Sequence, residues 1–372
     1  MAHEPWLALC LASDLGPAGI RKLLERFGTA AGIISASRQE LLESGLSATL
    51  VTQIHNPDET RLDTALNWLQ AADHHLVHWQ DERYPELLRA AGHSPPVLFV
   101  CGDPDVLGLP QIAIIGSRNA TPGGLEIATN FATHLAHAGL TITSGLAAGI
   151  DSAAHQGALA ADGITIAVMG TGPDQIYPRD NTALARRIMQ NGALVTEFPP
   201  GMPANRENFP QRNRIISGLC LGTLVVEAGI RSGSLITARY SGEYGREVFA
   251  VPGSIHSPVS KGCHKLIQQG AKLVQSSADI IEELAALAAS INTSEMPIPE
   301  GIQPSDQVDP EYAKLLCSMG FDPVNIPTLA KRCGLTAGEL SSMLLILELE
   351  GKVQTLPGGH FQQLTGWNRT NE

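Results

Sequence analysis

The sequence predicts an α/β protein built on a doubly wound, mostly parallel sheet, with a small helical unit before it and a second small unit after it. Three observations lead there. Apolar, β-branched runs recur at 112–115, 140–143, 164–169, 193–196, 223–226 and 247–251, and helix-compatible segments such as 124–138 and 151–161 lie between most of them. Continuous apolar strands with intervening helices indicate a sheet covered on both faces, the Rossmann-like arrangement. Nearly every run ends in glycine and a small polar residue, as expected where ligands lie at the carboxyl edge of such a sheet.

The elements follow in chain order. Residues 1–80 read as short helices forming a SAM/helix-hairpin-helix-like domain. Leu15-Gly-Pro-Ala-Gly-Ile20 is a glycine turn entering an amphipathic helix that stops at Gly28, and Ser37 with Glu40 in the first turn reads as a second helix start. The stretch 78–105 reads as a proline-rich connector, with Tyr84-Pro85, Ser94-Pro95-Pro96 and Asp103-Pro104. The sheet domain takes 81–285, and 286–309 is a linker carrying Pro297, Pro299 and Pro304. In 310–368, helical patterns at 312–318, 326–333 and 337–350 precede a hairpin at 352–364, a winged-helix order.

Charge is unevenly distributed. The chain has a formal net charge of −12, yet 273–313 holds eight acids and no lysine or arginine. A local basic groove is therefore compatible with the total, because screening confines the relevant field to roughly 8–10 Å. The one conspicuous cation cluster is 205–214, where Arg206, Arg212 and Arg214 surround Phe209 with a single carboxylate, Glu207. Guanidinium groups beside an aromatic suit a phosphate backbone with unstacked bases.

Other loops carry anion-site chemistry. Gly116-Ser117-Arg118 follows the first run and Thr121-Pro-Gly-Gly124 opens a helix, so glycine gives close approach, the helix N-terminus gives N–H donors and Arg118 gives charge. Neither GxGxxG nor GxxxxGK[ST] is present. Asp151 and His155 fall four apart, which reads best as a helix-start carboxylate and a locally satisfied histidine. Glu227, beside Ser232 and Ser234, invites either a capping or a catalytic reading. The six scattered cysteines show no CxxC spacing, which argues against a zinc ribbon or a disulfide scaffold. No run of 18 apolar residues and no leader-like start are seen, so the expected location is cytoplasmic, away from membranes.

The strings IAIIGSRNAT (112–121), SGLAAGIDSAAHQGAL (144–159), TEFPPG (196–201), FPQRNRIISGL (209–219), VVEAGIRSGSLITA (225–238) and AVPG (250–253) together resemble the DprA (Smf) family of DNA-processing proteins. The resemblance spans roughly 84–284, and the flanking units fit the longer members. It implies a non-enzymatic, cofactor-free protein that binds single-stranded DNA, protects incoming strands and loads the RecA recombinase during natural transformation. It implies homodimerisation through the Rossmann-like domain, with single-strand-binding protein as a further candidate partner. Residue by residue, it points to Gly116, Ser117 and Arg118 for phosphate, to Arg206 as the cation before the aromatic and to Phe209 for base contact. Arg212, Asn213 and Arg214 would line the same groove, and Arg231, Ser232, Gly233 and Ser234 would help to shape it.

Two competing expectations remain. Related Rossmann-like proteins cleave nucleoside monophosphates with a strand-end glutamate, but EAGIRSGSLITA is not the PGGxGTxxE loop of such hydrolases. A duplex-binding regulator would use 336–350 as recognition helix, yet that segment carries Glu339, Glu348 and Glu350 and no lysine or arginine. The winged helix therefore reads as a protein-docking or packing module.

Overall fold

The structure is a computed structural model that describes residues 3–12, 15–291, 310–320, 322–349, 352–356 and 359–363. The proposed linker 286–309 lies largely outside the described residues. The chain forms two compact units, Met1–Glu295 and Met296–Glu372.

The first unit holds a nine-stranded sheet: β1 (His74–His78), β2 (Val97–Gly102), β3 (Gln111–Ile115), β4 (Thr141–Ser144), β5 (Thr165–Val168), β6 (Gly192–Thr196), β7 (Gly222–Val225), β8 (Glu247–Ala250) and β9 (Lys272–Leu273). Their order is β1-β2-β6-β5-β4-β3-β7-β8-β9. The pairs from β6 to β9 are parallel, whereas β1 with β2 and β2 with β6 are antiparallel. The chain winds outward from β3 to β6 and then returns to β7 on the other side of β3. That reversal makes the carboxyl ends of β3 and β7 the switch point, where doubly wound proteins place ligands.

Period-two burial fixes the two faces. Ala113, Ile115 and Val225 enter one core with Ile215, Ile216 and Leu219, while Ile112, Ile114 and Leu224 enter the other with Ala128, Phe131 and Leu135. All six runs read as strands in the sequence are strands, within one or two residues at their ends.

The connector reading of 78–105 is corrected. Val97-Leu98-Phe99-Val100-Cys101 is a fully buried strand, and it pairs with β1 on one side and β6 on the other. Flanking prolines disguise it, and Pro96 and Pro104 fall outside the strand. Phe99, Val97 and Leu76 pack into the core of the N-terminal helices, so β1 and β2 join the helical region to the sheet.

Six short helices fill that region: Glu4–Leu11, Pro17–Phe27, Ala30–Ser35, Arg38–Glu43, Ala48–His55 and Glu59–Trp68. Thr29, Ser37, Ser47 and Asp58 cap four of them, and Ser37 with Glu40 forms a full capping box. The second unit has helices Pro310–Met319, Ile326–Cys333 and Ala337–Leu349 and a sheet ordered β10-β12-β11 (Val324–Asn325, His360–Gln363, Val353–Leu356), a winged helix with its own core.

Candidate nucleic-acid interface

Most of the cation cluster is helical. Asn208–Leu219 is a helix, so Phe209, Arg212, Asn213 and Arg214 occupy its first two turns. Pro210 is tolerated there because first-turn N–H groups have no helical acceptor. Helical geometry turns successive residues about 100° apart, and this separates side chains that are neighbours in sequence.

Arg212 and Arg214, expected on the groove wall, lie inside at 4% and 6% exposure. Arg212 reaches beneath the carboxyl edge, where its Nη1 donates to the carbonyls of Gly145 (2.7 Å) and Val168. Gly145 leaves room for it, since a Cβ there would stand 2.6 Å from the guanidinium. Asp151 supplies the nearby negative charge, and its Oδ2 accepts from the backbone N–H of Gly145 at 3.1 Å. Burial lowers Arg212 to about 10, against the pull of Asp151 in the other direction. Arg214 Nη2 pairs with Glu197 Oε2, both side chains being more than nine-tenths buried. Burial pushes the Glu197 carboxyl up, and the Arg214 charge opposes it. Both arginines therefore hold the helix to the sheet.

Phe209 is partly buried, with its ring against the Gly170 backbone, where a Cβ would fall 2.8 Å from Cδ1. The guanidinium of Arg118 stands 5.5 Å from the ring centroid and that of Arg212 6.0 Å. Arg118 is exposed and takes part in no ion pair among the described residues. The fold thus brings Arg118 and Phe209, 91 positions apart in sequence, onto one rim. Tyr177, in the loop after β5, is a further rim residue that the sequence motifs did not single out. Its ring lies 5.4 Å from that of Phe209 and is 49% exposed. An aromatic beside proline in a carboxyl-edge loop is the signal that was available.

The Gly116-Ser117-Arg118 loop is held from below. Ile150 N donates to Ser117 O at 3.2 Å, and Gly149, at φ 81°, would drive a Cβ to 2.2 Å from that same carbonyl. The helix N-terminus beyond it is already occupied. Thr121 N and Oγ1 donate to Glu227 Oε2 (2.9 Å) and Oε1 (2.6 Å), while Thr121 Oγ1 accepts from Gly124 N. Glu227 therefore caps the β3 loop at the switch point and puts a carboxylate at the positive end of the helix Pro122–His137. The N-terminus expected to donate to an anion thus faces the Glu227 carboxylate instead.

Asn213 Nδ2 donates to Gly233 O at 3.3 Å and so ties the helix to the Arg231–Ser234 loop. There the Ser232 and Ser234 hydroxyls bond each other at 2.6 Å, and Arg231 is exposed. Arg206 is exposed on the loop before Phe209. His155 is fully buried: its Nδ1 meets Thr165 Oγ1 at 2.7 Å, and Thr165 in turn donates to Ile142 O. Burial, aided by Arg212, lowers this histidine to about 3, which makes it a core group.

The fold and this rim define a class: a doubly wound α/β protein with a cationic, aromatic carboxyl edge and a separate winged helix. Comparison with known proteins narrows it. The profile of the family described as DNA recombination-mediator protein A matches residues 75–285, and that of the DprA winged helix domain matches 299–359. The chain belongs to this DprA/Smf family. It is 41% identical to Protein Smf of Escherichia coli (strain K12) over 322 residues, which cover 86% of each chain. It is 46% identical to the DNA processing protein DprA of Streptococcus pneumoniae over 203 residues, covering 55% of this chain and 72% of that one. The X-ray structure of S. pneumoniae DprA superposes with a TM-score of 0.68 at 37% identity, over 75% of this chain and 97% of that one. DprA of Helicobacter pylori, whose structure addresses its unique single-stranded DNA binding mode, gives a TM-score of 0.52 at 28% identity, over 57% and 96%. Among the described residues no helix is long and apolar enough to cross a membrane.

Proposed function

We propose that this recombination mediator binds single-stranded DNA across the carboxyl edge of its sheet. The observation that carries the reading is the pairing of exposed Arg118 with the Phe209 ring at 5.5 Å. A single strand offers a charged backbone and flat base faces, and it is matched by separated cations with aromatics among them. Arg118, Arg206 and Arg231 take phosphates, with Gly116 and Ser117 giving the backbone close approach. Phe209 supplies the aromatic contact, and Asn213, Ser232, Gly233 and Ser234 set the shape of the adjoining wall. Arg212 and Arg214 support the helix from within. The single-stranded DNA binding addressed in the H. pylori relative supports the same ligand class.

In the cell, the protein acts in the cytoplasm as a homodimer formed through the Rossmann-like domain. It protects incoming strands during natural transformation, and passes them to RecA, with single-strand-binding protein as a further partner. The nucleoside monophosphate-hydrolysing alternative requires an available strand-end carboxylate, and both Glu227 oxygens are bonded to Thr121. A gel shift with single- and double-stranded oligonucleotides, using the wild type beside Arg118→Ala and Arg206→Ala, tests the reading. Preference for the single strand, weakened in both variants, is expected; equal affinity for the duplex overturns it. Release of free base from nucleoside monophosphates would support the alternative.

A further inference from the structure

We infer that the single strand runs on from the rim into a groove between the N-terminal helical region and the loop after β6, where Arg61 takes a phosphate and the 199–203 loop takes the adjoining base. This deepens the single-strand reading above and rests on it. The groove measures about 450 Å³ and is lined by Arg61 and Thr64 of the helix Glu59–Trp68 and by Pro199, Pro200, Met202 and Pro203. It is continuous with the rim through the loop after β5. Gly170 of that loop lies against the Phe209 ring, and two positions on Gly172 N donates to Met202 O at 2.9 Å. A Cβ at Gly172 would fall 2.6 Å from Pro199 O, so this glycine lets the two loops close on each other. The far end of the 199–203 loop leads through exposed Arg206 to Phe209.

The lining suits one further nucleotide. Arg61 is exposed and takes part in no ion pair among the described residues. Two neighbouring carboxylates are engaged by backbone: Asp58 Oδ1 accepts from Arg61 N at 3.1 Å, and Asp174 Oδ1 accepts from Gly201 N at 2.8 Å. Glu59 and Asp63, two positions to either side of Arg61, lie about 200° around the helix from it, whereas Thr64 shares its face. Three prolines and a methionine offer apolar faces with no hydrogen-bonding edge, so they accept any base. A mostly apolar lining of this size with one convergent cation is the form of a small-ligand site, and it repeats the pairing of apolar face and guanidinium found at the rim.

The experiment measures binding of full-length wild type, Arg61→Ala and Arg61→Lys to a ladder of oligothymidylates, each one nucleotide longer than the last, by fluorescence anisotropy at several salt concentrations. In the wild type the slope of log affinity against log salt should step up as the strand grows past the rim into the groove. Arg61→Ala should match the wild type on the shortest strands that bind and fall short by about 0.7 in slope on long ones, the share of one phosphate. Arg61→Lys should restore the long-strand slope. An Arg61→Ala slope equal to that of the wild type at every length overturns the groove while leaving the single-strand reading standing. An equal drop at every length also overturns it, since that marks a general loss of positive field and not an added contact. Wild type binding no strand of the ladder overturns the parent reading itself.

Discussion

Arg118 and Arg212 approach the same phenyl ring, but only one of them can answer to salt. Arg118 stands in water, and each phosphate neutralised on a single strand contributes about 0.7 to the slope of log affinity against log salt. Arg118→Ala should therefore lower the slope of the wild type by about that amount, read from a salt titration; an unchanged slope would show that Arg118 does not touch phosphate. Arg214 has a different task. Its removal leaves the Glu197 carboxyl buried without its cation, and Arg214→Ala should cost about 3–5 kcal/mol of stability in urea denaturation, whereas Arg206→Ala should leave stability unchanged. His155 sets an acid limit. Its folded value of about 3 lies below its ordinary 6.5, so the unfolded chain binds the proton first as pH falls. The stability it contributes is complete above 6.5 and is lost through 6.5 toward 3, at up to about 1.4 kcal/mol per pH unit. Asp151 and Glu197, which burial pushes upward, act with the opposite sign above their ordinary carboxylate values. The difference between wild type and His155→Leu isolates the histidine: the variant's stability should fall less steeply from pH 6.5 to 4, and parallel curves would overturn this.

Individual elements were legible where periodicity was clean. The six central strands announced themselves because both faces are covered, leaving uninterrupted apolar runs. The Ser37 cap was visible because a capping box is local in sequence. Other elements stayed hidden, β1 within the stretch read as helices among them, and for two the reason is plain. β2 was masked by its prolines, and the helix Asn208–Leu219 by the charged residues that open it. Those charges read as solvent-exposed, but Arg212 finds carbonyl partners at Gly145 and Val168, 67 and 44 residues away. The support for the Gly116–Arg118 loop is equally non-local. Gly149→Ala should cost at least about 1–3 kcal/mol for the left-handed backbone alone, with the 2.2 Å approach to Ser117 O added. It should lower both Tm and single-strand affinity. Loss of stability with affinity retained would separate the Gly116–Arg118 loop from binding.

For the whole molecule, the division at residue 295 separates two chemistries. The first unit carries the cationic rim, and the winged helix carries a last helix with no lysine or arginine in Ala337–Leu349. That helix instead exposes Leu345 (57%), Ile346 (42%), Glu339 and Glu348. A duplex major groove would repel such a face, whereas a protein surface would not. A 306–372 fragment should therefore show no duplex binding at physiological salt, and a 1–295 fragment should keep the single-strand affinity and salt slope of the full chain. Duplex capture by the former would reinstate the winged helix as a DNA reader.

The sequence by itself determined the α/β class, the parallel strands, the winged helix and the family, because period, turn chemistry and ordered motifs are properties of neighbours along the chain. It also found the rim, by its arginines and one phenylalanine. Only the tertiary structure decided which of those arginines face water. A helix rotates adjacent side chains toward different surroundings, so Arg212 and Arg214 went to distant carbonyl and carboxylate partners inside. Arg118 and Tyr177, from separate loops, came to stand beside Phe209 outside.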